Sequence, residues 1–270
     1  MKKILSVLLV LMMLLPMVAM AENTQKLIVG FDAEFPPFGY VATDGEGVYG
    51  GYDGFDLALA KELCARLGWE FEAVPIDWNS KDAELSAGNI NCIWNGFTCT
   101  GREEQYTWSD AYVDNSIVIV VKADSGITSF ADLNGKVVMA QAGSSALDAL
   151  NGNADLLSTI SVLELPDYNL GFVELNMGTV DAVAADLGVA TYQISVNEGN
   201  YIILDEAVST EQYAVGFLLG NTELRDAVNA ELLKMAEDGT MMAIAQNYVD
   251  EGLVLESLCL CTAADEAAAE

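Results

Sequence analysis

The stretch NCIWNGFTCTGREEQYTWSD, Asn91 to Asp110, carries more meaning than any other twenty residues of this chain. A short apolar run leads into a Gly- and Thr-rich segment that ends on Arg102. Arginine is scarce: the only others are Arg66 and Arg225, each inside a helical pattern. In a chain of formal net charge −30, an Arg set beside Thr98, Thr100 and backbone amides reads as a seat for a small anion. A guanidinium fork matches a carboxylate with two parallel bonds, and Thr hydroxyls and Gly-rich backbone add further short ones. The competing reading is a surface Arg paired with its neighbours Glu103 or Glu104.

Working outward, Lys2 and Lys3 precede an apolar run from Ile4 to Val18, and Ala19-Met20-Ala21 supplies a small-x-small cleavage pattern. Residues 1–21 therefore read as a secretory signal peptide; the run is short for a membrane span and contains Pro16. No Cys follows the cleavage point, so an exported protein without a lipid anchor is expected, in a periplasm or outside a single membrane. The remaining chain holds 9 basic and 41 acidic residues, a net of −32, which argues against nucleic acid and anionic membranes as partners. The chain has no His, which removes the usual general base and the commonest metal ligand and excludes Ser-His-Asp and Cys-His hydrolases. No metal or cofactor is expected. Five cysteines, Cys64, Cys92, Cys99, Cys259 and Cys261, are an odd count for an oxidising compartment. A Cys64–Cys92 bridge stays open, against two small buried thiols on a helix and a strand.

Between Leu27 and Asp238 short strands alternate with helices. Leu27 to Phe31, Glu70 to Val74, Cys92 to Asn95, Ile117 to Val121, Lys136 to Ala140, Asp181 to Ala185 and Tyr213 to Leu219 read as strands. Phe55 to Leu67, Ala83 to Ala87, Ser144 to Asn151 and Leu224 to Asp238 read as helices, the first stopped by Gly68 and the last by Gly239. This rhythm is α/β with largely parallel sheets.

FDAEFPPF (Phe31 to Phe38), GYDGFDLALAKEL (Gly51 to Leu63), GFTCTGRE (Gly96 to Glu103), YTWSDAY (Tyr106 to Tyr112), DLNGKVVMAQAGSS (Asp132 to Ser145) and DAVAAD (Asp181 to Asp186) follow one another in a fixed order. In that order they resemble the extracellular solute-binding proteins of polar amino-acid ABC importers, over about Leu27 to Tyr248. The resemblance implies a two-lobed periplasmic-binding-protein fold, each lobe a mostly parallel sheet flanked by helices, joined by two hinge strands. Lobe 1 would comprise residues 26–114 and 214–258, lobe 2 residues 115–213, with 259–270 a disordered acidic tail. Asp110 to Ser116 and Glu211 to Val215 are the implied hinges, and ligand would bind in the cleft.

Site roles follow from the same resemblance. Arg102 stands where the family clamps the ligand carboxylate, helped by Thr98 and by backbone donors around Ser144 and Ser145. The family places two residues between the second Thr and this Arg, whereas Thr100-Gly101-Arg102 has one. Ser109, Asp110 and Tyr112 keep their spacing, so the deletion precedes Arg102 and leaves its reach open. Asp186 matches the acid that pairs with the ligand ammonium, with Asn95, Gly96 and Thr98; its alternative role is to cap the helix from Leu187. Phe35 and Trp78 align with aromatic walls, core packing being the alternative for Trp78. Asp32 and Gln141 occupy the side-chain end. With no basic candidate besides Arg102, an acidic ligand is disfavoured, and a cationic or amide L-amino acid is expected. The partners implied are a small-molecule amino acid and a membrane permease, with the chain a monomer. Two other readings are an exported cyclohexadienyl-dehydratase-like enzyme and a ligand-sensing module.

Overall fold

The computed structural model describes residues 24–261; the expected signal peptide and the tail beyond 261 lie outside the described residues. The chain opens with β1 (Lys26–Phe31), a small antiparallel sheet of β2 (Glu34–Phe35), β3 (Gly39–Val41) and β4 (Tyr52–Asp53), then α1 (Phe55–Leu67). It continues through β5 (Glu70–Pro75), α2 (Lys81–Ala87), β6 (Cys92–Ile93) and β7 (Thr107–Trp108). A second block holds β8 (Val113–Lys122), β9 (Val137–Gln141), α3 (Ser145–Gly152), α4 (Ala154–Leu157), β10 (Ser161–Leu165), α5 (Tyr168–Met177), β11 (Ala182–Asp186), α6 (Leu187–Val196) and β12 (Tyr201–Tyr213). The chain returns through β13 (Gly216–Phe217), α7 (Thr222–Glu237) and α8 (Thr240–Ala245).

The local chemistry explains the elements. In α1, Phe55, Leu59 and Leu63 recur at helical spacing and are all buried, and left-handed Gly68 (φ 68°) ends the helix while its amide reaches the last carbonyls. Ile117 to Val121 is an unbroken β-branched run because the middle of β8 is covered on both faces.

Two five-stranded sheets result, ordered β5-β1-β6-β13-β7 and β10-β9-β11-β8-β12, one per lobe. In the first, β1 runs parallel to β5 and β6, whereas β13 is antiparallel to β6 and β7. In the second, β9 is parallel to β10 and β11, whereas β8 is antiparallel to β11 and β12. The parallel character read from the βα rhythm thus holds for half of each sheet. The antiparallel half arises where the chain enters the second lobe along β8 and leaves it along β12, side by side. Those two strands run together from Val113 opposite Tyr213 to Lys122 opposite Tyr201. Beyond them the two crossings are tied to each other: the Ser109 amide donates to the Val215 carbonyl at 3.0 Å, and the Val215 amide to Ser109 Oγ at 2.9 Å.

The segment expected to be disordered from Cys259 is packed as far as Cys261. Leu258, Leu260 and Cys261 supply enough apolar surface to join the main hydrophobic core. Cys64 and Cys92 are buried free thiols, and all five cysteines are unbridged.

Candidate ligand-binding site

Four of the singled-out residues stand at the carboxyl ends of strands that pair in parallel: Asp32 after β1, Asn95 after β6, Gln141 ending β9 and Asp186 ending β11. In α/β sheets that edge is where ligands bind, because the connecting loops diverge there. Here the two edges face each other and the lobes are in contact. Gln141 donates to Asp32 across the cleft at 2.6 Å, Asn169 donates to Glu34, and Lys81 donates to the Gly143 carbonyl at 3.0 Å. The rings of Phe35 and Tyr168 meet at 5.9 Å.

The floor of the cleft is acidic. Asp186 is 2 % exposed and accepts from Asn115 Nδ2 (2.9 Å), Tyr168 (3.0 Å) and Tyr213 (2.6 Å). Its backbone opens α6, but its side chain makes no capping bond and is held by these three donors instead. Glu211, on β12 directly opposite Asn115, accepts from the same Asn115 amide (2.9 Å), from Thr98 (2.8 Å) and from Ser145 (3.1 Å). Two buried carboxylates thus share one neutral donor, and neither forms an ion pair with a cation among the described residues. Burial raises the pKa of Asp186; burial, then the neighbouring Asp186, raises that of Glu211 to about 7. Burial therefore favours the protonated form of both acids over what an exposed carboxyl would show.

One wall is basic. A cavity of about 590 Å³ is lined by Arg102, Lys81, Gly143, Ser145, Asp148 and Glu211, among others. Arg102 lies 5.6 Å over the Phe97 ring and donates to Asp148 of the other lobe at 2.8 Å. It pairs with neither Glu103 nor Glu104; Glu103 instead accepts from the Gly101 amide. The shortened Thr100-Gly101-Arg102 turn therefore still delivers the guanidinium to the cleft. Lys81, the first residue of α2, is 6 % exposed, and its ammonium sits 5.4 Å from the Trp78 ring.

The remaining candidates support this frame. The Asn95 side chain accepts from the Asp32 amide at 3.0 Å, while its Nδ2 is buried with no partner. Burial pushes Asp32 up to about 6 against the hydrogen bonds it accepts from the Glu34 amide and Gln141. Gly96 sits at φ 52°, and a Cβ there would fall 2.7 Å from the Phe35 ring, so only glycine lets the loop run this close. Ser144 caps α3, accepting from the Leu147 amide at 3.2 Å and donating to the Gln141 carbonyl. Trp78 packs edge-on against Phe97 in a small lobe 1 cluster and does not line the cavity. Phe35 packs between Phe38 and Tyr168.

The structure thus gathers Thr98, Ser145 and Asp186 around the acidic floor, Asp32, Asn95 and Gln141 into an inter-lobe latch, and Arg102 onto the basic wall. Sequence reading passed over Glu211, Asn115, Tyr168 and Lys81. Glu211 and Asn115 lie in stretches read only as hinges. Their signal was a polar residue on each of two crossing strands that otherwise bury apolar side chains. Lys81 opens a short helix beside Trp78, where a charge reads as solvated surface; the count of Arg102 as the sole base is corrected accordingly.

Residues 27–251 match the bacterial extracellular solute-binding proteins, family 3. The chain is 27 % identical over 225 residues to the L-cystine-binding protein TcyJ of Escherichia coli, covering 82 % of each. It is 35 % identical over 233 residues to the arginine-binding extracellular protein ArtP of Bacillus subtilis, covering 84 % of this chain and 87 % of that one. A histidine-bound substrate-binding protein of an ABC uptake transporter from Streptococcus pneumoniae superposes with a TM-score of 0.79 at 31 % identity, over 85 % of this chain and 94 % of that one. With its two sheets, paired crossings and inter-lobe cleft, the chain belongs to the bacterial extracellular solute-binding proteins of family 3.

Proposed function

We propose that this protein is the substrate-binding component of an amino-acid ABC importer, exported by its N-terminal signal peptide and acting as a monomer. Residues 26–114 with 214–258 form one lobe and 115–213 the other. The observation that carries the reading is a single cavity with the Arg102 guanidinium on its wall and the Glu211 carboxylate, backed by Asp186, on its floor. An α-amino acid presents a carboxylate and an ammonium side by side, so one molecule satisfies both. Its carboxylate meets Arg102 in charge-assisted bonds, with Ser145 nearby. Its ammonium replaces the proton held by the acid pair. Affinity in the micromolar range or better, about −8 kcal/mol, is ordinary for so many charged contacts.

Closure delivers the complex to a permease, since only the closed form presents both lobes in one fixed relation. Asp32 and Gln141 support a polar far end with a donor group, as in a cationic or amide side chain. The names of relatives that bind cystine, arginine and histidine support an amino-acid ligand, and arginine and histidine fit the cationic far end. The test is calorimetric titration of refolded protein, freed of carried-over ligand, against the twenty amino acids and cystine. One site per chain is expected, and Arg102→Ala should weaken binding more than about 100-fold, roughly 3 kcal/mol. Near-normal affinity in that variant overturns the carboxylate clamp. Silence across the panel, with product formed from prephenate or arogenate, favours the enzyme reading instead.

A further inference from the structure

We propose that the segment from Val249 to Cys261 is a strap across the two lobes, and that its contact with α6 stabilises the closed form. The strap acts whichever ligand fills the cleft, since it needs only lobes that open and close. It leaves α8 in lobe 1, where the Tyr248 hydroxyl donates to Asp53 at 2.7 Å. The Leu253 amide donates back to the Tyr248 carbonyl and the Gly252 amide to that of Val249, both at 3.0 Å, so the chain turns tightly. At that turn it meets lobe 2. Gly252, at φ 95°, runs so close to α6 that a Cβ there would fall 2.6 Å from the Tyr192 amide nitrogen and 3.0 Å from its Cα. Beyond it, the turn Leu255–Ser257 packs on β8, and the Cys259 thiol lies against Asp114 of the same strand. Leu253, Leu258 and Leu260 are buried in the core that also holds Tyr112, Val113 and Tyr213 of the crossings.

Three features make this a closure contact rather than a merely packed chain end. The approach at Gly252 is backbone to backbone, so no side chain can rotate away to relieve a bulkier residue. It also continues a seam. Gly188, one helical turn before Tyr192 and so on the same face of α6, meets lobe 1 again: a Cβ there would fall 2.8 Å from the Phe38 ring and 3.3 Å from Pro37. Lobe 1 thus grips one face of α6 at two levels, from the loop beside Phe35 and from the strap. The seam is, lastly, poised to open. Glu251 Oε2 is buried with no hydrogen-bond partner among the described residues, and the Tyr40 phenol beside it lies among Asp53, Glu251 and Tyr192. A carboxylate oxygen kept from water costs free energy, which keeps the closed contact from becoming permanent. Rotating lobe 2 about the crossings moves α6 off Gly252.

The experiment compares Gly252→Ala with Gly220→Ala. Gly220, at φ 90° in lobe 1, has open space where a Cβ would stand, so alanine there adds the same backbone strain without a contact. Thermal melts confirm that both variants fold. Small-angle scattering, with and without ligand, reads the open fraction, and calorimetry with L-arginine, L-histidine, L-glutamine and L-cystine reads affinity. Gly252→Ala should enlarge the open fraction and weaken each of these that binds by about tenfold or more, because the overpacked contact exists only in the closed form. Gly220→Ala should leave both readings as in the wild type. Identical behaviour of the two variants overturns the strap and leaves the amino-acid reading intact. Tighter binding by Gly252→Ala also overturns it, since the segment would then hold the lobes apart. If none of the four ligands binds, the amino-acid reading falls, and the scattering of the two variants alone decides the strap.

Discussion

The acidic floor of the cleft is built almost wholly from the second lobe and its crossing strands, with Thr98 contributed by the first, whereas its basic wall depends on contacts between the lobes. Asp186 and Glu211 are caged by Asn115, Thr98, Ser145, Tyr168 and Tyr213, and Asn115 and Glu211 sit opposite each other on the paired strands β8 and β12. Arg102 and Lys81 instead come from lobe 1 and find their partners, Asp148 and Gly143, on lobe 2. Opening the lobes would break the second set and leave most of the first. The difference teaches a division of labour. In the proposed binding mode the floor takes what every amino acid has, the ammonium, and the wall forms only on closure, so it would couple ligand identity to the closed shape.

The largest effect that could break this comparison is electrostatic. Burial raises Glu211 to about 7, Asp56 to about 7 and Asp32 to about 6, and raises Asp186 as well. A carboxyl whose folded pKa lies above its unfolded value holds a proton that the unfolded chain releases. The stability these groups contribute is therefore full below about pH 4 and is lost as pH climbs through about 7. Glu211 alone contributes on the order of 3 kcal/mol to that slope. Thermal melts from pH 5 to 8 should show a steadily falling Tm. Glu211→Gln should flatten part of the slope and leave the part due to Asp32 and Asp56. A Tm that rises with pH would mean that the floor is compensated by a cation.

A smaller effect sharpens the other half. Gln141→Ala removes the 2.6 Å bond to Asp32 that spans the lobes. Affinity should fall about tenfold, roughly 1.4 kcal/mol, through a less stable closed form. Small-angle scattering of the ligand-saturated variant should show a larger open fraction. If affinity falls while the closed fraction is unchanged, Gln141 acts on the ligand rather than as a latch.

Much of the fold was legible because its signals are local. Phe55, Leu59 and Leu63 mark a helix face, and Ile117 to Val121 mark a buried strand, whatever their partners. β12 was not legible as a long strand. Its sequence, YIILDEAVSTEQY, mixes exposed acids with isolated buried residues, and register shifts interrupt its pairing with β8. α5 was missed because its mean periodicity is obscured by apolar residues on its exposed side, Val173 and Met177. In the site, Arg102 and Asp186 stood out as types out of place. Glu211 and Lys81 did not, because their roles depend on 96 residues of separation between Asn115 and Glu211, and on a loop of the opposite lobe.

The central claim is that the ligand ammonium takes the place of a proton on the Asp186–Glu211 pair. Its most direct test is calorimetric binding of the tightest amino acid at pH 7 in two buffers of different ionisation enthalpy. Protons should be released on binding, in a fraction that shrinks toward pH 8.5 and is abolished in Glu211→Gln. Binding with no proton released at pH 7, in wild type and variant alike, would contradict it.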